Sequence, residues 1–338
     1  MKKLLTLFGA MMMVLAVSCK KQEAAPEVGP GAKIRVGFSQ IGAESDWRKA
    51  STVSIQEEAA KRGIELLFSD AQQKQENQLK AVRSFIAQGV DVICLAPVVA
   101  TGWEDVLKEA KAAKIPVILI DRKVTVSEDG LYSCYIGSDC TEEGRKAARW
   151  VIENVGENAG IAELVGTVGS GPAIERKKGF EEIIKDHPGL KIIKSQSGDF
   201  TRSQGKEVME QFLKSPEKDQ IKVLYAHNDD MALGAIQAIE EAGKVPGKDI
   251  VIISIDGVKT MFEQILAGKA NCTVECNPLI GAQLFDVVEQ IHAGKSVPSR
   301  IPSVEGVYDA DGNVNVGTDR EPVVTKKITK EIVDSRKY

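Results

Sequence analysis

The chain has 338 residues, of which 43% are apolar and 27% charged, and its formal net charge is −4. That length allows about two domains, and the composition is that of a soluble globular protein. A mildly acidic chain without a basic stripe carries no electrostatic footprint for nucleic acid, so that class of partner is excluded.

Met1-Lys2-Lys3 is a basic start, followed by an apolar stretch over residues 4–17. As a helix this stretch would span roughly 21 Å, short of a hydrocarbon core of about 30 Å. Residues 1–18 therefore read as a secretory signal peptide rather than a membrane span. Ala16-Val17-Ser18 place small residues before Cys19, which resembles a bacterial lipobox and implies Cys19 as a lipidation site. Ordinary secretory cleavage beside an incidental cysteine is the alternative. Residues 19–32, rich in Lys, Glu, Ala, Pro and Gly, read as a flexible tether.

From Lys33 onward, strands and helices alternate. Strands are expected over residues 34–39, 64–68, 90–95 and 115–120; between them come helices over about 47–62 and 101–114 and one that residues 72–78 lead into and that ends near Gly89. A linking strand over 131–136 leads to a second series. Helices are expected near 141–155, 173–185, 202–214, 229–242 and up to 267, with strands over 161–165, 191–196, 221–226 and 250–255. Alternation at this spacing means βαβ units and parallel sheets covered on both faces, here an α/β chain of two doubly wound, Rossmann-like lobes. After a strand over 272–276 and a helix over 279–293, Asp311-Gly312 within residues 308–314 reads as the turn of a small hairpin. The charged residues 326–338 read as a peripheral tail.

Cysteine spacing matches no zinc pattern, and no metal or other cofactor is expected. Cys134 and Cys140 are near in sequence, as are Cys272 and Cys276. Residues four apart on a straight strand lie roughly 13 Å apart, too far to bridge. Buried free thiols are the simpler reading, while pairing between the two segments stays open if they run side by side.

In open α/β sheets, ligands bind beyond the carboxyl ends of the strands. The run Ile115-Pro116-Val117-Ile118-Leu119-Ile120 ends in Asp121-Arg122, an acceptor beside a fixed donor fork, or else a solvated pair on a surface turn. Trp47 and Arg48 begin the first helix, where an aromatic face can stack on the C–H face of a sugar; a core-facing tryptophan and a solvated arginine are the alternatives. Asp199-Phe200-Thr201-Arg202 repeats the arrangement. Asn228 follows another strand, Asp256 ends a further one, and Arg176 lies in the first turn of the helix after a glycine-rich loop. Mixed donors, acceptors and aromatics at strand ends of both halves suit a small, neutral, polyhydroxylated ligand. Enzyme signatures are lacking: the run Gly166 to Gly171 does not keep G-x-G-x-x-G spacing, and there is neither a P-loop nor a G-x-S-x-G elbow.

Six segments carry a specific likeness: Gly37-Phe38-Ser39-Gln40, residues 70–78, Ala81-Val82-Arg83-Ser84-Phe85, residues 96–104, Ser195 through Arg202, and Tyr225-Ala226-His227-Asn228-Asp229-Asp230-Met231. Together they resemble the galactofuranose-binding branch of the ribose-type periplasmic binding proteins, over roughly residues 33–290. The resemblance implies a periplasmic binding protein-like I fold, two lobes joined by a three-crossover hinge. Lobe boundaries at residues 33–137 with 277–304, and at 138–276 with 305–325, follow from it. It implies ligand contacts from Trp47, Arg48, Asp121, Arg122, Arg176, Phe200, Asn228 and Asp256, from Gln73 in the next loop, and from Glu275 or Cys276 at a crossover, with Glu275 preferred. It also implies a substrate-binding lipoprotein of an ABC sugar importer. That protein would be a monomer held at the periplasm or cell surface through Cys19, passing a galactofuranose- or galactose-like monosaccharide to permease subunits. Alternatives are a sensor presenting sugar to a chemoreceptor or sensor kinase, and a binder of another pentose, hexose or polyol such as ribose. No covalent chemistry is expected.

Overall fold

The computed structural model describes residues 33–318 and 320–338. The expected signal peptide, tether and lipidation site at Cys19 lie outside the described residues. Buried β-branched runs build two sheets. The first has the order β11-β5-β4-β3-β1-β2, with β1 (Arg35–Gln40), β2 (Glu65–Asp70), β3 (Val92–Leu95), β4 (Val117–Ile120), β5 (Cys134–Gly137) and β11 (Arg300–Pro302), all parallel. Every residue of β3 and β4 is buried, as strands covered by helices on both faces must be. The covering helices are α1 (Asp46–Arg62), α2 (Gln75–Ala87), α3 (Glu104–Ala112) and α9 (Gly281–His292).

The second sheet has the order β13-β12-β10-β9-β8-β6-β7. Its strands are β6 (Ala159–Val165), β7 (Leu190–Ser197), β8 (Ile221–Ala226), β9 (Val251–Asp256), β10 (Cys272–Glu275), β12 (Val307–Asp309) and β13 (Lys326–Lys327). It is parallel except where β12 meets β10. Around it lie α4 (Cys140–Val155), α5 (Gly171–Ile184), α6 (Arg202–Leu213), α7 (Asp229–Glu241), α8 (Lys259–Leu266) and α10 (Lys330–Ser335). The chain passes between the sheets after β5, after β10 and after β11, which makes the three-crossover hinge. The five described cysteines are buried free thiols, as the simpler reading had it.

Helix α2 starts at Gln75, after Gln72 and Gln73, which are left-handed (φ 52° and 60°) and cannot begin a helix. Two local expectations are corrected. Asp311-Gly312 turns no hairpin: Asp309 Oδ1 accepts from both backbone N–H groups (3.0 and 2.6 Å), an Asx-type turn that ends β12. The antiparallel pairing comes later, where the Val316 N–H donates to the Val323 carbonyl (2.8 Å).

Residues 326–338 are not peripheral either. They add β13 to the sheet, bury Ile328 and Val333, and carry Arg336 to the base of β10. There its guanidinium donates to Glu275 Oε1 (2.6 Å) and the Gly257 carbonyl (2.6 Å). The same group lies over the rings of Phe262 and Tyr338. Charge alone suggested solvation, but the charged residue that matters has its counter-ion and its aromatic platform waiting in the lobe.

Candidate functional site

Both sheets turn the carboxyl ends of their strands toward one small cavity between the lobes. From the first lobe, Ser45 caps α1 by accepting the Arg48 N–H (3.0 Å), which fixes Glu44, Trp47 and Arg48 at the entrance of that helix. Asp121 follows β4 in the left-handed region (φ 65°), a conformation Asp tolerates better than most residues, and Arg122 comes next. From the second lobe, Pro172 and Arg176 come from the start of α5. Phe200 (φ 61°) lies in the turn before α6, and Asn228 caps α7 through Met231 N–H (3.0 Å). Asp256 ends β9 and Cys276 follows β10; all these residues line the cavity.

The polar groups form a graded network. Arg48 donates to Glu44 Oε1 (2.9 Å) and to Asp121 Oδ2 (2.7 Å). Arg122 donates to the Val98 carbonyl (2.9 Å) and stands 3.6 Å from Asp121. Burial, together with the charge of Arg48, pushes Arg122 down to about 10. Arg176 donates to Glu143 Oε2 (2.8 Å) and to the His227 carbonyl, and it lies 3.7 Å from Asp256. Burial would lower Arg176, but the charge of Glu143 reverses this and holds it well above its usual value. Burial pushes the Asp256 carboxyl well up, against the pull of Arg176.

Within this network, Glu44 Oε2, Arg48 Nη1 and Arg122 Nε are buried without a hydrogen-bond partner among the described residues. Unpaired buried polar atoms are costly, and a hydroxylated ligand offers both donors and acceptors to satisfy them. The aromatic parts are equally fixed. The Trp47 indole N–H donates to the Cys276 carbonyl (2.5 Å). Phe200 lies under the guanidinium groups of Arg122 (5.2 Å) and Arg176 (6.0 Å). A Cβ on Gly166 would fall 1.9 Å from Phe200 Cζ, so only glycine leaves that ring its place.

The lobes are closed over the cavity. Arg202 Nη2 bridges Asp46 and Asp230 at 3.0 Å each, and Asp46 N–H donates to Asp230 (2.9 Å). Across the mouth, Ala100 N–H donates to the Gly169 carbonyl (2.9 Å).

Trp47, Arg48, Asp121, Arg122, Arg176, Phe200, Asn228 and Asp256 are thus brought together as the sequence suggested. Gln73 and Glu275 are not. Gln73 belongs to a left-handed turn whose N–H donates to the Ile41 carbonyl (2.7 Å), and its side chain packs over Gly42. Glu275 is engaged by Arg336, by Gly306 N–H (2.7 Å) and by the Tyr338 hydroxyl (3.0 Å). Strand alternation turns its neighbour Cys276 to the cavity instead. Glu44 was missed; its signal was a carboxylate four residues before Arg48 at a helix entrance.

A family model described as a periplasmic binding protein domain matches residues 36–296. The galactofuranose-binding protein YtfQ of Escherichia coli (strain K12) is 51% identical over 293 residues, covering 86% of this chain and 91% of that protein. The periplasmic binding protein of the arabinose ABC transporter of Shewanella sp. ANA-3, solved with α- and β-L-arabinofuranose, is 51% identical with a TM-score of 0.79, covering 81% of this chain and 91% of that one. A protein of Mycobacterium smegmatis solved with β-D-fucofuranose is 50% identical with a TM-score of 0.80, covering 82% and 91%. On its two lobes, its three crossovers and these matches, the chain belongs to the periplasmic binding protein domain family, close in sequence to its sugar-binding members.

Proposed function

We propose that the protein binds a monosaccharide in its furanose form, galactofuranose-like, in the interlobe cavity and delivers it to the permease of an ABC importer. The observation that carries this reading is the cavity's unpaired mixture of buried atoms, two donors and one acceptor, beside two fixed aromatic rings. One sign of charge would suit an ion; a mixture suits hydroxyls. Relatives at about half identity that bind galactofuranose, L-arabinofuranose and β-D-fucofuranose support a five-membered ring. The mechanism is binding and closure: the sugar satisfies the arginines and carboxyls, the rings flank it, and the closed shape is what a permease distinguishes from the open one. Trp47, Arg48, Asp121, Arg122, Arg176, Phe200, Asn228 and Asp256 make the contacts, joined by Glu44 and Cys276.

A thermal-shift and calorimetric screen against furanosides, pyranoses, ribose and polyols tests this. A true ligand at 100 times its Kd stabilises the protein by about 2.7 kcal/mol. If no sugar moves the melting temperature, the reading is wrong. Family membership implies export to the periplasm. There we place the protein on a lipid anchor at Cys19, so the full-length chain is expected in the membrane fraction and Cys19→Ala in the soluble one. Equal distribution of the two would remove the anchor.

A further inference from the structure

Beyond the cavity, the crossovers converge on a second polar group. Ser138 lies on the first crossover, Cys276 and Asn277 on the second, and Glu305 on the third. Ser138 Oγ is 3.2 Å from Cys276 Sγ and also donates to Glu305 Oε1, which accepts from Asn277 N–H as well (3.3 Å). Glu305 thus ties all three crossovers. Glu143, on α4 and almost fully buried, gives one oxygen to Arg176 and has no donor for the other. Oxygens of Glu143 and Glu305 and the Cys276 sulfur lie within 4.8 Å of one another.

Two ionised carboxylates at that separation, Glu143 buried and Glu305 half-buried, repel, and among the described residues Arg176 is the arginine bonded to the group. A proton on one acid relieves the repulsion. The environments decide which. Glu143 accepts a charged N–H from Arg176. Glu305 accepts only from a hydroxyl and an amide. Burial, with the charge of Glu143 adding to it, pushes Glu305 up to about 8. The titratable groups around it are Glu143 and the half-exposed Lys146 of α4, with Cys276 beside it and Arg176 and Asp256 beyond.

We propose that Glu305 is a positioning residue: as the neutral acid it ties the three crossovers together and leaves Glu143 free to hold Arg176 in the cavity. The part concerning sugar affinity rests on the sugar-binding reading above. The part concerning the acid does not. An acid whose folded value lies above its ordinary 4.5 binds more protons folded than unfolded, so its contribution to stability falls as pH rises from about 4.5 to about 8, and then stays level. Opening the lobes bends the crossovers and admits water to Glu305. The closed, sugar-bound form therefore holds the proton more firmly, and affinity falls with pH over the upper part of the same window.

The test compares the full chain with Glu305→Gln, the isostere of the neutral acid, and with Glu305→Ala. In thermal melts from pH 5 to 9, Glu305→Gln is expected to gain on the wild type up to about pH 8 and to run parallel above it; Glu305→Ala is expected to melt lower throughout. A pH-independent gap between wild type and Glu305→Gln would overturn the neutral acid. In titrations with methyl β-D-galactofuranoside followed by tryptophan fluorescence, wild-type affinity is expected to drop about tenfold between pH 6 and 8.5, and that of Glu305→Gln less than twofold. The same slope in both would assign the pH dependence to another acid such as Asp256 and overturn the positioning role. A growing melting gap without binding of any furanoside would sink the sugar reading and leave the assignment of the acid standing.

Discussion

Asp121→Asn is expected to weaken sugar binding by about 10²- to 10³-fold while the protein stays folded. Asp121 Oδ2 is the shared acceptor of the first lobe, 2.7 Å from Arg48 and 3.6 Å from Arg122. Both arginines are buried, so removing this counter-charge leaves Arg48 with Glu44 and Arg122 with the Val98 carbonyl. Losing one partner of a buried charge pair costs about 3–5 kcal/mol. Arg122, already pushed down to about 10, loses the charge of Asp121 that holds it up and falls further. Asparagine is the informative replacement because it tolerates the left-handed φ of 65° at this position. Alanine would add backbone strain of about 1–2 kcal/mol and confuse the two effects. Calorimetric titration with circular dichroism as the check on folding decides the matter. Affinity within twofold of the wild type would take the Asp-Arg pair out of the site.

Gly179→Ala carries the largest expected effect on stability, a loss of about 3 kcal/mol. A Cβ on Gly179 would lie 1.9 Å from the Thr141 carbonyl oxygen, and one on the facing Gly144 would lie 2.2 Å from the Arg176 oxygen. These are backbone atoms, so no rotamer change relieves the clash, and α4 and α5 must move apart. Two things move with them. Phe180 leaves its stack on Tyr225, where the ring centroids are 4.1 Å apart. Arg176, between the two glycine contacts in the same helix pair, leaves its place beside Glu143. A melting temperature lower by roughly 5–10 °C is expected, together with weaker sugar binding. A shift under 2 °C would mean that the helices are not packed this closely. α6 and α7 meet in the same way, with a Cβ on Gly234 falling 2.0 Å from the Arg202 carbonyl oxygen.

The sequence made the strand ends legible because the signals there are local. A buried parallel strand is a continuous apolar run, and the residues just after it are held where the fold puts ligands. Val117–Ile120 followed by Asp121-Arg122 is such a case, and Val251–Asp256 is another. The loop before α3 was harder. Trp103 is fully buried with its indole N–H bound to the Val99 carbonyl (2.7 Å), so the chain turns through residues that read as helix. The short edge strands Arg300–Pro302 and Lys326–Lys327 carry no periodic signal. Two or three residues are too few to show one.

By itself, then, the sequence determined the alternation of strands and helices, the two lobes, and eight residues of the cavity, because each depends on hydrophobic period or on position within a single βα unit. Tertiary structure alone decided what those residues hold on to. Glu275 lies one position from the cavity, yet its carboxylate belongs to Arg336 and Tyr338, 61 and 63 residues further along the chain. Glu305 looked like part of a connecting segment until the three crossovers were seen to meet at its carboxyl. Charge pairs and buried acids take their partners from whatever the fold brings within a few ångströms, and no local pattern in the chain records that choice.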